Sequence, residues 1–425
     1  MPTKSTGSSG TCSNPSTSAR KYSSNASQSR GRIRRMYSGS RPSIPSGTRC
    51  SDGRRTSAMA PPSPPVTNCL CRTLVSLHMR LTRQRLNRTL LLRQHLLERV
   101  AMSPEEMVRH LVGLQAQENL PPYLSLAARL TGLDPHNVSA LLEQRRLVRL
   151  LTMRGTIHLL TPDDAAELRP WVAPRIEQEI RVSQSIGDAR EIARPEAEAA
   201  LREVLADGPL PQKDIGLRLA ERFSYPATQL GQLARSIAPL AQLPPRGCWK
   251  SSGGVVYDYV DRWTGVPMAE PDVPALVRRY LRAFGPATAA DVTAWSAVTR
   301  LGPVLKGMDD LVQHEDEDGR VLYDVDGAPI ADEDAPAPVR LLGTYDNVWL
   351  SHAARDRVTD AEARRSWMGT NGGIGNTVFA GGWLAGIWRV EDDRVRIDRL
   401  HRDLTKREQA ELDEEIARTE ALLAS

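Results

Sequence analysis

The sequence predicts an α+β protein, mainly helical, in which one supersecondary unit occurs three times ahead of a small C-terminal α+β cap. Two observations carry this prediction. Helix-forming stretches give way to paired strand-forming stretches three times over, and Gly208-Pro209 and Gly285-Pro286 break the second and third helical stretches at matching places. From Val339 onward the order changes to strand, hairpin and one long charged helix.

The elements follow in chain order. Leu81 to Val100 has helical spacing, with Leu86, Leu90, Leu91 and Leu97 towards one face. Ser103-Pro104-Glu105-Glu106 is a capping box with Pro at the first helical position, so a helix starts there and runs through Met107, Leu111 and Leu114. Short helices at Tyr123 to Leu130 and Val138 to Arg145 precede two strands, Leu147 to Met153 and Thr156 to Leu160, joined through Arg154-Gly155. Helices followed by a β-hairpin are the order of a winged helix. In the second pass, helices at Pro195 to Leu205, Asp214 to Arg222 and Ala227 to Leu240 lead to strands at Trp249-Lys250 and Val255 to Tyr257. A third pass runs from Val273 to Ala283, Thr288 to Ser296 and Arg300 to Met308 into a hairpin of Leu311 to Glu315 and Val321 to Val325. The cap combines a strand running into a loop over Arg340 to Leu350, a hairpin at Val378 to Val390 and a helix at Lys406 to Leu423. The expected boundaries are a tail at 1–79, winged helices at 80–194, 195–270 and 271–338, and the cap at 339–425.

Charge divides the chain unevenly. Residues 1–79 hold 12 Lys and Arg against Asp52 alone, so the overall balance of +5 comes from them. Their Ser, Arg, Pro and Gly content predicts disorder. Three accounts fit this tail: an arm that tracks nucleic-acid phosphate, an organelle transit peptide, or an upstream reading frame ahead of a true start at Met79. Only six of the 56 basic residues are Lys, a bias of GC-rich genomes that favours the third account. The remainder is slightly acidic, with eleven acids and one base, Arg320, between 309 and 334. A DNA-binding surface on such a chain must be a local one, with those acids pointing elsewhere. No apolar run approaches membrane-spanning length. One cysteine beyond residue 71, Cys248, excludes a disulfide scaffold there and predicts a reducing compartment.

Several chemistries lack their residues. The eight histidines are scattered, with no HExxH and no cysteine pair in the folded part, so neither a metal nor another cofactor is expected. Gly372-Gly373-Ile374-Gly375 has no following Gly-Lys-Ser or Gly-Lys-Thr and reads as a flexible turn. No GxSxG elbow occurs. Polar candidates remain at two places. Gln115, Gln117, Glu118 and Asn119 follow an apolar helix, where an ideal helix would set the two glutamines about 200° apart. They face one way only if that helix ends or distorts before Pro121-Pro122. Two exposed glutamines at a helix end are the plainer account. In the first hairpin, an extended Thr152 to His158 would align Arg154, Thr156 and His158 on one face, with Arg145, Arg146 and Arg149 as a further basic cluster. A polar hairpin face in water and a solvated helix end explain these residues equally well.

Three segments, Gly113-Leu114-Gln115-Ala116-Gln117, Met153-Arg154-Gly155-Thr156-Ile157-His158-Leu159 and Tyr345-Asp346-Asn347, taken in order over about residues 80–395, resemble the winged-helix AlkZ-like DNA glycosylases. The resemblance implies three winged helices around a concave DNA-binding surface, with Gln115 and Gln117 catalytic. Gln rather than Asp at 117 places the chain with the AlkZ branch and not its YcaQ-like sister. Also implied is a monomeric, metal-independent enzyme that removes bulky N7-alkylated purines, including interstrand crosslinks, in repair or antibiotic self-resistance. It would act on double-stranded DNA in the bacterial cytoplasm, at the nucleoid, and not on membranes. On this reading Arg154, Thr156, His158 and Arg149 touch DNA. Glu118 stands as an alternative base. A non-catalytic winged-helix regulator is the rival reading, and an interaction protein without DNA binding a third.

Overall fold

A computed structural model describes residues 79–367 and 375–425. The expected disordered tail, apart from Met79, and most of the 372–375 turn lie outside the described residues. Thirteen strands occur there: β1 Arg80–Leu81, β2 Leu114–Gln115, β3 Val148–Leu151, β4 Ile157–Leu160, β5 Leu210–Pro211, β6 Leu240–Gln242, β7 Val256–Tyr259, β8 Leu311–Asp316, β9 Val321–Val325, β10 Arg340–Leu342, β11 Asn376–Ala380, β12 Trp383–Glu391 and β13 Arg394–Leu400.

One element order occurs three times. The first unit runs from helix Pro104–His110 to β2, helices Pro121–Ala127 and Pro135–Glu143, then β3 and β4. Its counterpart runs from Arg194–Val204 to β5, Gln212–Ala220 and Ala227–Ile237, then β6 and β7. The third has Val273–Phe284, Ala289–Ser296 and Gly302–Lys306 before β8 and β9, with a single bridging residue, Ala287, in place of the short strand. Each time that short segment pairs antiparallel with the last strand of its unit: β2 with β4, β5 with β7, Ala287 with Tyr323.

Local chemistry explains several boundaries. The Ser103 hydroxyl accepts from the Glu106 N–H at 3.2 Å while the Glu106 carboxylate accepts from the Ser103 N–H at 2.8 Å. Thr288 and Asp291 repeat this capping box. Each cap contributes about 1 kcal/mol to its helix. The helix from Pro104 nevertheless stops at His110, short of the expected Leu114. Val112 (φ 51°) and Gly113 (φ 98°) turn the chain out of it and into β2.

Further expectations are corrected. The first helix ends at Arg93 and not Val100, because His95 takes a left-handed backbone conformation. Residues 80–93 also belong with the third unit: β1 pairs in parallel with β8, and Arg93 forms a buried ion pair with Asp324 at 2.7 Å. The boundary at 194/195 is bridged by one six-stranded sheet, ordered β2-β4-β3-β6-β7-β5, in which β3 pairs with β6. Trp249-Lys250 is not a strand; the partner of β7 is Leu240–Gln242, and Trp249 packs against Tyr123 instead. The cap keeps its expected hairpin and last helix and adds β13, giving the antiparallel order β10-β11-β12-β13; its first strand stops at Leu342, and Asn347–Leu350 is helical rather than part of a strand or loop. Helix Lys406–Ala424 is tied to the body by Glu415, which pairs with Arg99 at 2.6 Å and Arg340 at 3.4 Å.

Much of the acidic run from 309 to 334 is paired with arginine: Asp310 with Arg278, Asp316 with Arg320, Asp324 with Arg93. Asp316, Glu317 and Asp318 share a cavity of about 470 Å³ with Arg83, Arg320 and Arg357, and neither motif glutamine nor Arg154 lines it. Among the described residues no helix is long and apolar enough to cross a membrane, and no group of three His, Cys, Asp or Glu is placed to hold a metal ion.

Candidate functional site

The site is built on β2, the short strand of the first unit. Gly113 makes it possible. Its φ of 98° suits only glycine, and a Cβ there would collide with Leu160 Cδ2. The Gly113 carbonyl accepts from Asn347 Nδ2 at 2.9 Å, so the Tyr345-Asp346-Asn347 segment fixes the entry to the strand. Asp346 is itself buried and paired with Arg129 at 2.8 Å, and Ser125 donates to it at 2.7 Å. Burial pushes the Asp346 carboxyl up, but Arg129 and the Ser125 hydroxyl hold it below its ordinary value.

Gln115 and Gln117 therefore lie on extended and bent backbone, not at a helix end. Gln115 pairs across the sheet with His158, and the Ala116 N–H donates to the Ile157 carbonyl at 2.7 Å. Each glutamine amide is oriented by a group that can only donate. Arg154 Nη2 donates to Gln115 Oε1 at 3.2 Å, and the Ile157 N–H donates to Gln117 Oε1 at 3.1 Å. Both oxygens are thereby fixed towards the hairpin, and both NH2 groups are left to face other partners. Gln115 is buried to 8% exposure, whereas Gln117 and Glu118 are exposed. The pair thus spans from the protein interior to its surface.

The hairpin does not stay extended through Gly155. Thr152 to Thr156 form a tight turn in which Arg154 (φ 57°) and Gly155 (φ 71°) are both left-handed. Arg154, Thr156 and His158 therefore do not share a strand face, yet the turn folds Arg154 back onto His158. Arg154 Nη2 meets His158 Nε2 at 2.9 Å, and its Nη1 donates to the Trp295 carbonyl of the third unit. His158 Nδ1 faces the Thr156 carbonyl at 3.1 Å and must carry the proton, so Nε2 accepts from Arg154. Burial and then the Arg154 charge push the imidazole well below its ordinary range, so it is neutral. Burial and the neighbouring Arg355 push Arg154 down to about 10, leaving it charged at neutral pH. The Thr156 hydroxyl is half-buried and donates to the Met153 carbonyl at 3.2 Å.

The basic cluster at 145–149 disperses. Arg145 stacks on Trp263 at 4.4 Å, Arg146 pairs with Glu105, and Arg149 is 1% exposed on β3. Arg149 cannot reach a phosphate from there. It donates to the Ala116 carbonyl at 2.8 Å, between the two glutamines, and Gly247 lacks the Cβ that would strike it. Burial, with Arg246 adding to it, pushes Arg149 down to about 10. His158, also 1% exposed, is likewise withdrawn from any DNA surface. Sequence reasoning missed Arg355, a half-buried guanidinium beside Arg154 that donates to the His352 and Ala353 carbonyls. No motif marks it, because its neighbours in space come from other units.

Proteins already known define the class. The family described as DNA glycosylase AlkZ-like matches residues 108–422, and the chain belongs to that family. Among curated proteins it is similar to an interstrand DNA cross-link repair glycosylase of Streptomyces sahachiroi, 26% identical over 323 residues, which covers 71% of this chain and 86% of the relative. Among solved structures it is similar to the Streptomyces sahachiroi DNA glycosylase AlkZ, with a TM-score of 0.66 and 21% identity over 81% of this chain and 98% of that one.

Proposed function

We propose that this DNA glycosylase removes cationic, bulky N7-alkylated purines from double-stranded DNA, interstrand crosslinks included, with Gln115 and Gln117 orienting the hydrolytic water. The curated relative is named for cross-link repair, which favours that substrate. The repeated order of helix, short strand, two helices and strand pair supports reading each unit as a winged helix and the three together as the DNA-binding body.

One observation carries the catalytic assignment: both amides are fixed by obligate donors on adjoining backbone. A purine alkylated at N7 already bears positive charge. When its C1′–N9 bond breaks, the bonding electrons neutralise the departing base, so no strong general acid is required. Water then adds its oxygen to the electron-poor C1′ and gives up one proton. Two fixed amides are suited to this step, because each NH2 can donate to the water oxygen and each carbonyl has a second lone pair to accept from it. Fixing the water in line with C1′ is the dominant contribution expected of such a site. The exposed Glu118 is the candidate to take the proton. Arg355 and Thr156 are the candidate DNA contacts, in place of Arg149 and His158.

The test is release of N7-alkylguanine from alkylated and crosslinked duplexes by the wild type, Gln115→Ala and Gln117→Ala. Release by the wild type and not by the variants, with DNA affinity retained, is the expected result. Normal release by both variants removes the assignment. Tight binding to one undamaged sequence without base release would make the chain a regulator.

A further inference from the structure

The turn of the first hairpin is chemically ill-chosen for folding alone. Met153-Arg154-Gly155-Thr156 closes with the Thr156 N–H donating to the Met153 carbonyl at 3.1 Å, and its two central residues both have positive φ. Such a turn favours Asn-Gly. Arg at the first central position places a Cβ-bearing residue in left-handed space, which is strained. Its side chain is also half-buried, and among the described residues no carboxylate lies within ion-pair distance of it. Arg93 and Arg129 each have such a partner, Asp324 and Asp346, whereas the buried Arg149 and Arg169 are held by backbone carbonyls.

The side chain instead meets three groups from different elements. It touches the Gln115 amide oxygen on β2, the His158 ring on β4 and the Trp295 carbonyl at the end of a third-unit helix. On the strength of the function proposed above, the geometry points to Arg154 as a positioning residue for Gln115, and not as a contact to DNA phosphate. His158 is the second member of this relay. Held by the Thr156 carbonyl through Nδ1–H, it offers Nε2 as a fixed acceptor that aims the guanidinium at Gln115. Only a planar fork with several donors can serve all three partners at once; the single ammonium of a lysine cannot. Arg355, the neighbouring guanidinium, disfavours any second role for Arg154 in which its charge is compensated by a protein acid.

Two substitutions separate positioning from phosphate binding. Arg154→Lys keeps the charge and loses the fork. Arg154→Asn supplies the residue this turn favours and is expected to fold at least as well as the wild type. Both are measured on one N7-alkylguanine duplex, for the rate of base release at saturating enzyme and for affinity over a range of salt. Positioning predicts that both lose about 100-fold in the saturating rate, the cost of a misplaced catalytic group. Affinity stays within about threefold and the salt slope is unchanged, since no phosphate contact is removed. Phosphate binding predicts the reverse for Arg154→Asn: a normal saturating rate, weaker affinity and a salt slope shallower by about one. A saturating rate within threefold of wild type in either variant overturns the inference. Release by the wild type on the same duplex separately tests the glycosylase reading, so the two failures are distinguishable.

Discussion

Leu114-Gln115-Ala116 in the first unit and Leu210-Pro211-Gln212 in the second occupy the same place in the same backbone frame. Leu114 and Gln115 pair with Leu159 and His158; Leu210 and Pro211 pair with Tyr257 and Val256. The next N–H donates across in both, from Ala116 to Ile157 at 2.7 Å and from Gln212 to Val255 at 3.0 Å. The ladder is shared and the side chains are not. Where the first unit presents an amide against an imidazole, the second presents proline against valine. The strand connections diverge in step. The first unit turns tightly at Arg154-Gly155, whereas residues 243–255 of the second form a long connection whose Gly247 carbonyl accepts from Tyr123 of the first at 2.8 Å. One unit carries the proposed catalytic glutamines, and the other packs against it.

That contrast can be broken in four ways. The largest effect is expected where the cap grips the first unit. Asp346→Ala leaves Arg129 buried without its partner and should cost about 3–5 kcal/mol, read by denaturant unfolding. A loss under 1 kcal/mol would show that the grip is dispensable. Next, Gln115→Ala should slow single-turnover base release by about 100- to 1,000-fold, comparable to removing a preorganised donor, while Gln212→Ala, beside the matched Pro211 of the second unit, leaves it within twofold. Equal effects would erase the distinction between the copies. Third, Gly113→Ala combines a left-handed backbone with the collision at Leu160 and should destabilise by about 2–3 kcal/mol. Gly208→Ala, strained in φ but with open space around its Cβ, should cost about 1 kcal/mol by the same measurement.

The smallest effect follows from pH. Burial, reinforced by neighbouring charge, depresses His95 to about 4, pushes His158 well below its ordinary value and lowers His110. All three are in or beside the first unit, and no histidine occurs between 195 and 270. Each titrates near 6.5 when unfolded and lower when folded, so the unfolded chain binds more protons as pH falls below about 6.5. Stability is full above that pH and declines towards pH 4. Amide hydrogen exchange should therefore accelerate between pH 7 and 5, beyond its intrinsic pH dependence, more in β2 and β4 than in β7. Uniform change across the three strands would count against the assignment.

Much of the architecture was legible in sequence because its signals are local. The Ser103 capping box, the Gly-Pro breaks, the Gly319 hairpin and the charged last helix each rest on a few adjacent residues. The placement of the glutamines was not. Met107, Leu111 and Leu114 carry helical spacing across a chain reversal at Val112-Gly113, and the strand that captures Gln115 is more than forty residues away. Arg149 looked like surface because Arg145 and Arg146 are, yet β3 is buried along its whole length. Arg355 reaches Arg154 only through the meeting of units. The glutamine pair stood out as a candidate in sequence, but what orients it depends on a hairpin turn that doubles back, which no local pattern encodes.

The pairing of β3 with β6 has a consequence for how the chain tolerates division. Those strands present their edges to each other, so a cut near residue 194 would separate two fragments that each carry a bare, apolar edge. Such edges recruit other strands. Either half expressed alone is expected to self-associate, and mixing the halves should recover soluble protein only when both edges find each other. The second unit therefore cannot be removed without exposing β3, the strand next to β4, which pairs with the strand carrying Gln115.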